Sequence, residues 1–415
     1  MTDKLHIETQ LLHGGYAPEQ ETGATTLPLF QSTSFAYQSA EQLESVFAGR
    51  EPGFVYSRIN NPTLQQFERR ITVLEDGLAS VSCASGMAAI STAVLALAQS
   101  GDEIISGNSI FGGTYSLFAH TLKRYGIKTN FVQTTDIDAY RQAITDRTKL
   151  IFVETIGNPK LDVPDIAAIS AIARQNGIVL IVDNTVTTPV LCRPKELGAD
   201  IVIHSTSKYV NGHGNAIGGI IVDCGSFDWS SPRYASMKET YDRVRQFAFI
   251  ASLRNRIHRD LGACFSPFNA FLMSIGIESL ALRMERHCSN ALSIAQHLAD
   301  DSRIESICYP GLETHSDHST AKSQFAGHYG AILALHLGSK ERCFKFINAL
   351  QRAQNLANLG DAKTLVIHPA STFCRDATAD EKLAMGVTDD LVRFSIGIEH
   401  LDDILQDIDQ ALNNI

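Results

Sequence analysis

The sequence lacks any apolar run long enough to cross a bilayer, and its first residues, Met1-Thr-Asp-Lys-Leu-His6, lack the apolar stretch of a signal peptide. Basic residues are in the minority, since 35 Lys and Arg stand against 45 Asp and Glu, a formal net charge of -10. This charge argues against a nucleic-acid or anionic membrane surface as partner. We therefore expect a cytoplasmic protein that binds neither nucleic acid nor membrane.

The eight cysteines are scattered and form no CxxC pair, a pattern typical of reduced thiols rather than of a disulfide framework or a zinc site. His315 and His318 resemble a pair of metal ligands, but their polar loop offers no third ligand. We expect solvated histidines there and no metal. No GxGxxG motif follows a predicted strand, which argues against a Rossmann nucleotide-binding protein.

Apolar strands alternate with helical stretches between residues 61 and 255, which predicts an α/β domain with a mostly parallel sheet. Residues 1–60 contain glycines and prolines that interrupt any long periodicity, and such an irregular segment suits an arm that wraps a partner subunit. In residues 256–415, two helical patterns, a strand at 331–337 and an amphipathic helix at 401–412 predict a smaller α/β domain.

Lys208 follows an apolar strand and stands directly behind two hydroxyl side chains, Ser205 and Ser207. Upstream, a second apolar strand ends in Asp183. Ligands of open α/β sheets gather at the carboxyl ends of strands. Pyridoxal phosphate (PLP) needs an amine for its Schiff base, a carboxylate for its pyridinium nitrogen and donors for its phosphate. Either residue alone would indicate a surface side chain, but together they favour a PLP site.

A turn of small residues that contains Gly86 and Met87 opens a helix predicted over residues 88–98. The free N–H groups and positive dipole end of a helix N-terminus suit a phosphate, and the hydroxyls of Ser205 and Ser207 would complete the same cup. Asn158 follows a third apolar strand and would donate to the ring phenolate of the cofactor. An Asn-Pro turn without any ligand is the commoner explanation of such an asparagine.

These motifs resemble the Cys/Met-metabolism family of PLP enzymes, and the resemblance runs nearly from end to end. The motifs that carry it, in the order of the family, are Tyr56-Ser-Arg58-Ile-Asn-Asn-Pro62-Thr63, Ser85-Gly-Met-Ala-Ala89, Glu154-Thr-Ile-Gly-Asn158-Pro159, Asp183-Asn-Thr185, Ser205-Thr-Ser-Lys208-Tyr209 and His368-Pro-Ala-Ser371. The resemblance implies a PLP-dependent aminotransferase-like fold (fold type I) with a smaller C-terminal α/β domain.

The resemblance also implies a role for each site residue. Lys208 would form the Schiff base and act in catalysis together with Tyr56. The remaining cofactor contacts would be Tyr56 and Arg58 from the neighbouring subunit, with Gly86, Met87, Phe111, Asn158, Asp183, Thr185, Ser205 and Ser207. The substrate contacts would be Asn358, Ser371 and Arg393, with Arg393 binding the α-carboxylate as a bidentate fork. A homotetramer built from dimers that share their active sites is expected.

The reaction is indicated by two neighbouring positions. Relatives that handle cystathionine carry a glutamate where this chain has Ala357, so the distal amino group of cystathionine would lack its partner. Asn358 and the residues after it resemble O-acetylhomoserine sulfhydrylases, which implies transfer onto sulfide, or methanethiol, to give homocysteine or methionine in amino-acid biosynthesis. A methionine or homocysteine γ-lyase and a cystathionine γ-synthase-like transferase remain alternatives, as does, remotely, a cofactor-free interaction protein.

Two departures from the family pattern bear on the substrate. Phe111 stands where the family usually has a tyrosine whose hydroxyl is a candidate acid for the leaving group. Acetate needs less protonation than a thiolate, so Phe111 favours an acyl-homoserine substrate, unless Tyr56 or Lys208 supplies the proton. After Ser371, the chain reads Thr-Phe-Cys374 instead of the usual Thr/Met-Thr-His. The choice between O-acetyl and O-succinyl esters stays open.

Overall fold

The computed structural model describes residues 5–19 and 22–415, and a seven-stranded sheet dominates them. Its strands are β1 Ala79–Cys83, β2 Glu103–Gly107, β3 Lys128–Val132, β4 Thr148–Glu154, β5 Val179–Asp183, β6 Ile201–His204 and β7 Gly219–Asp223. Their order across the sheet is β1-β7-β6-β5-β4-β2-β3. β2 to β6 pair in parallel, whereas β7 is antiparallel to both of its neighbours. The predicted mostly parallel sheet is confirmed.

The central strands are buried on both faces, which explains why they contain continuous apolar runs. In β5, Leu180 and Val182 pack into one hydrophobic cluster, and Val179 and Ile181 pack into another on the opposite face. All four side chains are fully buried. The sheet therefore forms the middle layer of a helix–sheet–helix sandwich, with its polar residues concentrated at the strand ends.

A smaller sheet of five strands lies in the C-terminal part of the described chain. Its strands are β8 Ser306–Cys308, β9 Ile332–His336, β10 Gln354–Asn355, β11 Leu365–Ile367 and β12 Leu391–Ser395, in the order β10-β11-β12-β9-β8. One hydrophobic cluster contains Val182 of the large sheet together with Leu333 and Phe394 of the small one, so the two sheets share a continuous core. The predicted smaller α/β unit is confirmed, while domain boundaries at 60 and 255 stay a prediction.

The helices cover both sheets. They are α1 Ile7–His13, α2 Ala40–Phe47, α3 Pro62–Leu74, α4 Gly86–Leu97, α5 Gly112–Ser116, α6 Leu122–Arg124, α7 Ile137–Ala143, α8 Ile166–Gln175, α9 Thr188–Leu191, α10 Lys238–Val244, α11 Ala248–Ser252, α12 Arg259–Leu261, α13 Pro267–Glu278, α14 Leu280–Leu298, α15 His318–Gln324, α16 Lys340–Ala349, α17 Ala379–Ala384 and α18 Leu401–Leu412. Short 3-10 segments are Pro194–Leu197, Pro232–Met237, Arg245–Phe247 and Pro369–Ser371, and π-helical segments are Leu117–Thr121 and Leu253–His258. None of the helices in the described ranges is long and apolar enough to cross a bilayer.

The structure differs from the sequence predictions in several places. Residues 1–60 are not irregular throughout, because α1 and α2 form there, and Ser39 caps α2 by accepting from the Gln42 amide at 3.1 Å. β7 was not predicted. His315 and His318 are half-buried rather than solvated, and His318 Nδ1 lies 3.0 Å from the Pro310 carbonyl oxygen.

Candidate active site

A cavity of about 470 Å³ opens where β4, β5 and β6 end and α4 begins. Because the carboxyl ends of parallel strands meet at one edge of a sheet, the residues that follow these strands are brought together there. Eleven of the predicted site residues line the cavity: Gly86, Met87, Phe111, Asn158, Asp183, Thr185, Ser205, Ser207, Lys208, Asn358 and Arg393.

The floor of the cavity is the turn that begins α4. The Ser85 hydroxyl accepts from the Ala88 amide at 3.0 Å, which caps the helix, and the first-turn amides of an α-helix have no acceptor within the helix. A Cβ atom at Gly86 would lie 2.6 Å from the Cβ atom of Ser205, so only glycine lets these segments approach so closely. Ser207 faces the same space, where its hydroxyl accepts from the Gly218 amide at 2.9 Å. Backbone amides and hydroxyl groups at a helix N-terminus suit a phosphate.

Asp183 ends β5 and presents a buried carboxylate to the cavity. The Thr185 amide donates to Asp183 Oδ1 at 2.9 Å, and the Thr185 hydroxyl accepts from the Ser205 amide at 2.8 Å. Burial raises the pKa of Asp183, while hydrogen bonds from Thr185 and the nearby His204 oppose that rise. A carboxylate in this position would be stabilised by a cationic N–H group inside the cavity.

Lys208 has its amine inside the cavity, where Nζ donates to Asn358 Oδ1 at 2.6 Å. Burial, and secondly the positive charge of Arg393, lower the pKa of Lys208 to about 8. A lysine with a pKa near 8 exists partly as the neutral amine at physiological pH. That form is the one that attacks a carbonyl group or takes a proton.

Arg393 lies in β12 of the small sheet and reaches the cavity from there. Its Nη1 donates to Asn158 Oδ1 at 3.1 Å, and its Nη2 donates to the Asn358 carbonyl oxygen at 2.7 Å. Nε is buried and has no hydrogen-bond partner among the described residues. Burial lowers the pKa of Arg393 to about 10, which leaves the guanidinium charged at neutral pH. A buried guanidinium with an unused donor suits a substrate carboxylate.

Two phenylalanines flank these polar groups. Phe111 directly precedes α5, and its ring centroid lies 6.2 Å from that of Phe373. The Phe373 ring also faces the guanidinium of Arg393, 5.2 Å from its Cζ atom. The cavity therefore has an aromatic wall beside its charged groups.

Three predicted site residues lie outside the cavity of this single chain. The Arg58 Nη1 donates to the Arg259 carbonyl oxygen at 2.5 Å, and its guanidinium lies over the exposed Tyr56 ring at 5.5 Å. The Ser371 hydroxyl is 2.8 Å from His368 Nδ1. Their roles at the cofactor and substrate stay predictions.

The sequence analysis gave no role to Glu154 or Phe373, although both line the cavity. Glu154 ends β4 as Asp183 ends β5, so the same signal, an acid that terminates an apolar strand, could have indicated it. Phe373 belongs to the loop that departs from the family pattern. Further lining residues without a predicted role are Ser85, Ile90, Thr114, Val186, Gly214, Ala216, Ile217 and Leu359, and Ala357, which was predicted to disfavour cystathionine, also lines the cavity. In the described chain, no group of three or more His, Cys, Asp or Glu side chains could hold a metal ion.

A protein-family model described as Cys/Met metabolism PLP-dependent enzyme matches residues 8–413. The chain belongs to this family. An O-acetyl-L-homoserine sulfhydrylase from Leptospira meyeri is 42% identical over 427 residues, which cover 98% of this chain and 97% of that protein. A homocysteine synthase from Schizosaccharomyces pombe is 42% identical and covers 98% of each chain.

Among solved structures, a putative O-acetylhomoserine (thiol)-lyase from Campylobacter jejuni superposes with a TM-score of 0.94 at 34% identity, and the match covers 99% of this chain and 100% of that one. That structure contains N'-pyridoxyl-lysine-5'-monophosphate, a cofactor joined to a lysine. The protein is thus a PLP-dependent enzyme, and the resemblance and fold predicted from its motifs are confirmed.

The donor set of the cavity fits PLP. The buried amine of Lys208 suits the cofactor's aldehyde, and the buried carboxylate of Asp183 suits a pyridinium N–H group. The amides at the start of α4 and the Ser205 and Ser207 hydroxyls suit its phosphate.

Proposed function

We propose that the protein exchanges the acetate of O-acetyl-L-homoserine for sulfide, giving L-homocysteine and acetate. The Cγ–O bond of the substrate breaks, a Cγ–S bond forms, and acetate leaves with the electron pair of the broken bond. The relatives that match almost the entire chain support this reaction by their names. The observation that carries the chemistry is the buried Lys208 amine, which shares one cavity with Asp183 and the unused Nε donor of Arg393.

The residues of the cavity would divide the work between binding and proton transfer. When bound, PLP supplies an electron sink for the negative charge that develops on substrate carbon. Arg393 would bind the α-carboxylate and so fix the amino acid beside Lys208. Lys208, with its pKa lowered to about 8, would take the proton from Cα and return it at the end. Asp183 would hold the proton on the ring nitrogen of the cofactor.

The lining of the cavity supports a small thiol as the acceptor. Ala357 lines it, together with Phe111 and Phe373, and none of these side chains would pair with a distal ammonium or carboxylate. Sulfide fits such a wall, and so does methanethiol, which would give methionine directly. A cystathionine γ-synthase-like reaction would need a partner for the amino group of cysteine in this place.

We also propose a cytoplasmic homotetramer in which pairs of subunits complete each other's sites. Tyr56 and Arg58 lie outside the cavity of their own chain, which supports their action at a partner's cavity. The eight cysteines are free and scattered, as expected of a reducing compartment.

The test is an assay of the purified, PLP-loaded enzyme with O-acetylhomoserine, with and without sulfide, following homocysteine and α-ketobutyrate. We expect homocysteine that depends on sulfide. O-Succinylhomoserine and methanethiol are assayed in parallel to define ester and acceptor. Rapid α-ketobutyrate formation from methionine or homocysteine, with little homocysteine made from O-acetylhomoserine, would show a γ-lyase instead.

A further inference from the structure

Two carboxyl groups lie side by side in the cavity, at the ends of adjacent parallel strands. Glu154 of β4 is the register partner of Asp183 of β5, so both side chains leave the sheet on the same face. Both line the cavity, and they are only 6% and 8% exposed. Two neighbouring carboxylates in a buried site disfavour each other's charge, so one of them tends to keep its proton.

The surroundings of the two groups differ, and the difference favours charge on Asp183. Asp183 accepts hydrogen bonds from Thr185, and the nearby His204 side chain favours its ionised form. Glu154 accepts one hydrogen bond, from the Phe111 amide to Oε1 at 2.7 Å. Burial, and secondly the charge of Asp183, raise the pKa of Glu154 well above its ordinary value.

The cationic side chains of the cavity do not neutralise a negative charge on Glu154. Lys208 donates to Asn358, and Arg393 donates to Asn158 and to the Asn358 carbonyl group. Within the described residues, Glu154 forms no ion pair with either of them. A charged Glu154 would therefore place an unpaired buried carboxylate next to Asp183, which is costly.

We propose that Glu154 is a neutral positioning residue: its Oε1 holds the Phe111 amide, its other oxygen keeps the proton, and Asp183 carries the negative charge of the pair. Phe111 is the N-cap residue directly before α5, so a hydrogen bond to its amide fixes where the Phe111 ring enters the cavity. The proposal concerns the PLP site itself and does not depend on which ester or thiol the enzyme uses.

The protonation state is tested by infrared difference spectroscopy of the PLP-loaded wild type and the Glu154→Gln variant at pH 8. We expect the variant to lose the C=O stretching band of a protonated carboxyl group. Loss of carboxylate bands instead would overturn the proposal, because Glu154 would then be ionised in the wild type. Asp183→Asn is the matched control, and it should lose carboxylate bands. Loss of the neutral-carboxyl band in that variant would show that the proton is on Asp183, which would overturn the proposal.

Cofactor affinity gives a second readout that needs no substrate. Asp183→Asn removes one partner of a buried charged pair, so PLP binding to the apoprotein should weaken by about thirtyfold or more. Glu154→Gln should weaken it less, because no charge is removed. Equal losses in the two variants would contradict the assignment of charge to Asp183.

The positioning role is tested by a double-mutant cycle between Glu154→Leu and Phe111→Ala. Leucine cannot accept from the Phe111 amide, and loss of one such hydrogen bond should lower kcat/KM by about fivefold or more. If Glu154 acts through Phe111, the two losses are less than additive in the combined variant. Fully additive losses would overturn the positioning role. If Glu154→Leu does not fold, Glu154→Gln is used: glutamine keeps the acceptor oxygen, so the circular dichroism of its bound PLP should match that of the wild type, and a changed signal would contradict the proposal.

Discussion

Lys208 and Arg393 show how much the behaviour of a residue depends on its surroundings rather than on its type. Both are cations, yet burial lowers the pKa of Lys208 to about 8 and leaves Arg393 charged, with a pKa near 10. The same cavity therefore contains a base that can exchange protons at neutral pH and a fixed positive charge for a carboxylate.

At this scale, the sequence indicated the residues but not their environment. Lys208 and Asp183 were predicted because each lies at or just past the end of an apolar strand, whereas Arg393 was predicted from the family resemblance alone, and the structure brings all three to one cavity. Glu154 had the same position relative to its strand. The burial of Glu154 could not be judged from the sequence, because burial depends on neighbours that are distant along the chain.

Phe111 gives the residue-scale prediction. We expect Phe111→Tyr to raise thioether γ-elimination from methionine or cystathionine more than it changes acetate displacement from O-acetylhomoserine. The added hydroxyl can protonate a leaving thiolate, and general-acid help is typically worth on the order of a hundredfold or more in rate. The measurement compares kcat/KM of both reactions in both proteins. Equal, small changes on the two substrates would leave Phe111 as a stacking residue, with another group acting as the acid.

At the scale of the elements, the large sheet explains why the site was largely predictable. β4, β5 and β6 are parallel, so the residues that follow them meet at one edge. β7 was missed because it begins at a pair of glycines and runs antiparallel, so it does not belong to the alternation of strands and helices that predicts parallel strands. α1 and α2 were missed because each is shorter than the windows in which helical periodicity becomes clear.

The end of β7 contains an acid whose burial predicts a pH-dependent stability. Asp223 is fully buried; its Oδ1 accepts from the Gly225 amide at 2.8 Å, and its Oδ2 has no hydrogen-bond partner among the described residues. Burial, with Asp200 adding a smaller effect, raises the pKa of Asp223 from 3.8 to about 7. The folded state thus binds this proton more tightly than the unfolded state does.

Stability should therefore fall as pH rises from the unfolded pKa to the folded one, and level off above about 7. Asp223→Asn has no charge to bury, so we expect a higher Tm than the wild type at pH 8, equivalent to about 1–3 kcal/mol, and a smaller difference at pH 5. Thermal unfolding at both pH values checks this. Asp146→Asn, at an exposed carboxyl, is the control and should show no such pH-dependent gain. A destabilised Asp223→Asn at pH 8 would contradict the buried-charge argument.

At the scale of the whole molecule, residues 22–60 expose side chains that the fold of one subunit leaves uncovered. Tyr56 is 42% exposed, and Arg58 lies against Arg259 rather than in the cavity. Several large apolar side chains of the same segment, including Phe30 and Phe47, are also exposed. A surface of this kind is typical of a contact between subunits.

Shared sites predict a definite result when two inactive variants are combined. Arg58→Ala and Lys208→Ala should each lose turnover, the first because the phosphate loses a cation and the second because the amine is gone. In a hybrid dimer, one site would contain an intact Lys208 from one chain and an intact Arg58 from the other. The two variants are co-expressed with different tags and pair at random. Half of the dimers are then hybrids with one intact site of two, so the mixture should regain roughly a quarter of the wild-type activity.

The matched control pairs Lys208→Ala with Asp183→Asn. Lys208 and Asp183 line the same cavity of a single chain, so no combination of these two subunits contains an intact site. No recovery is expected from that mixture, which separates a shared site from a general stabilising effect of mixed assembly. Purified hybrids of Arg58→Ala and Lys208→Ala that stay inactive would show that Arg58 acts within its own chain. Arg58 donates a hydrogen bond to the Arg259 carbonyl group and does not line the cavity of its own chain. In that case, residues 56–58 would have to rearrange for Arg58 to reach this cavity.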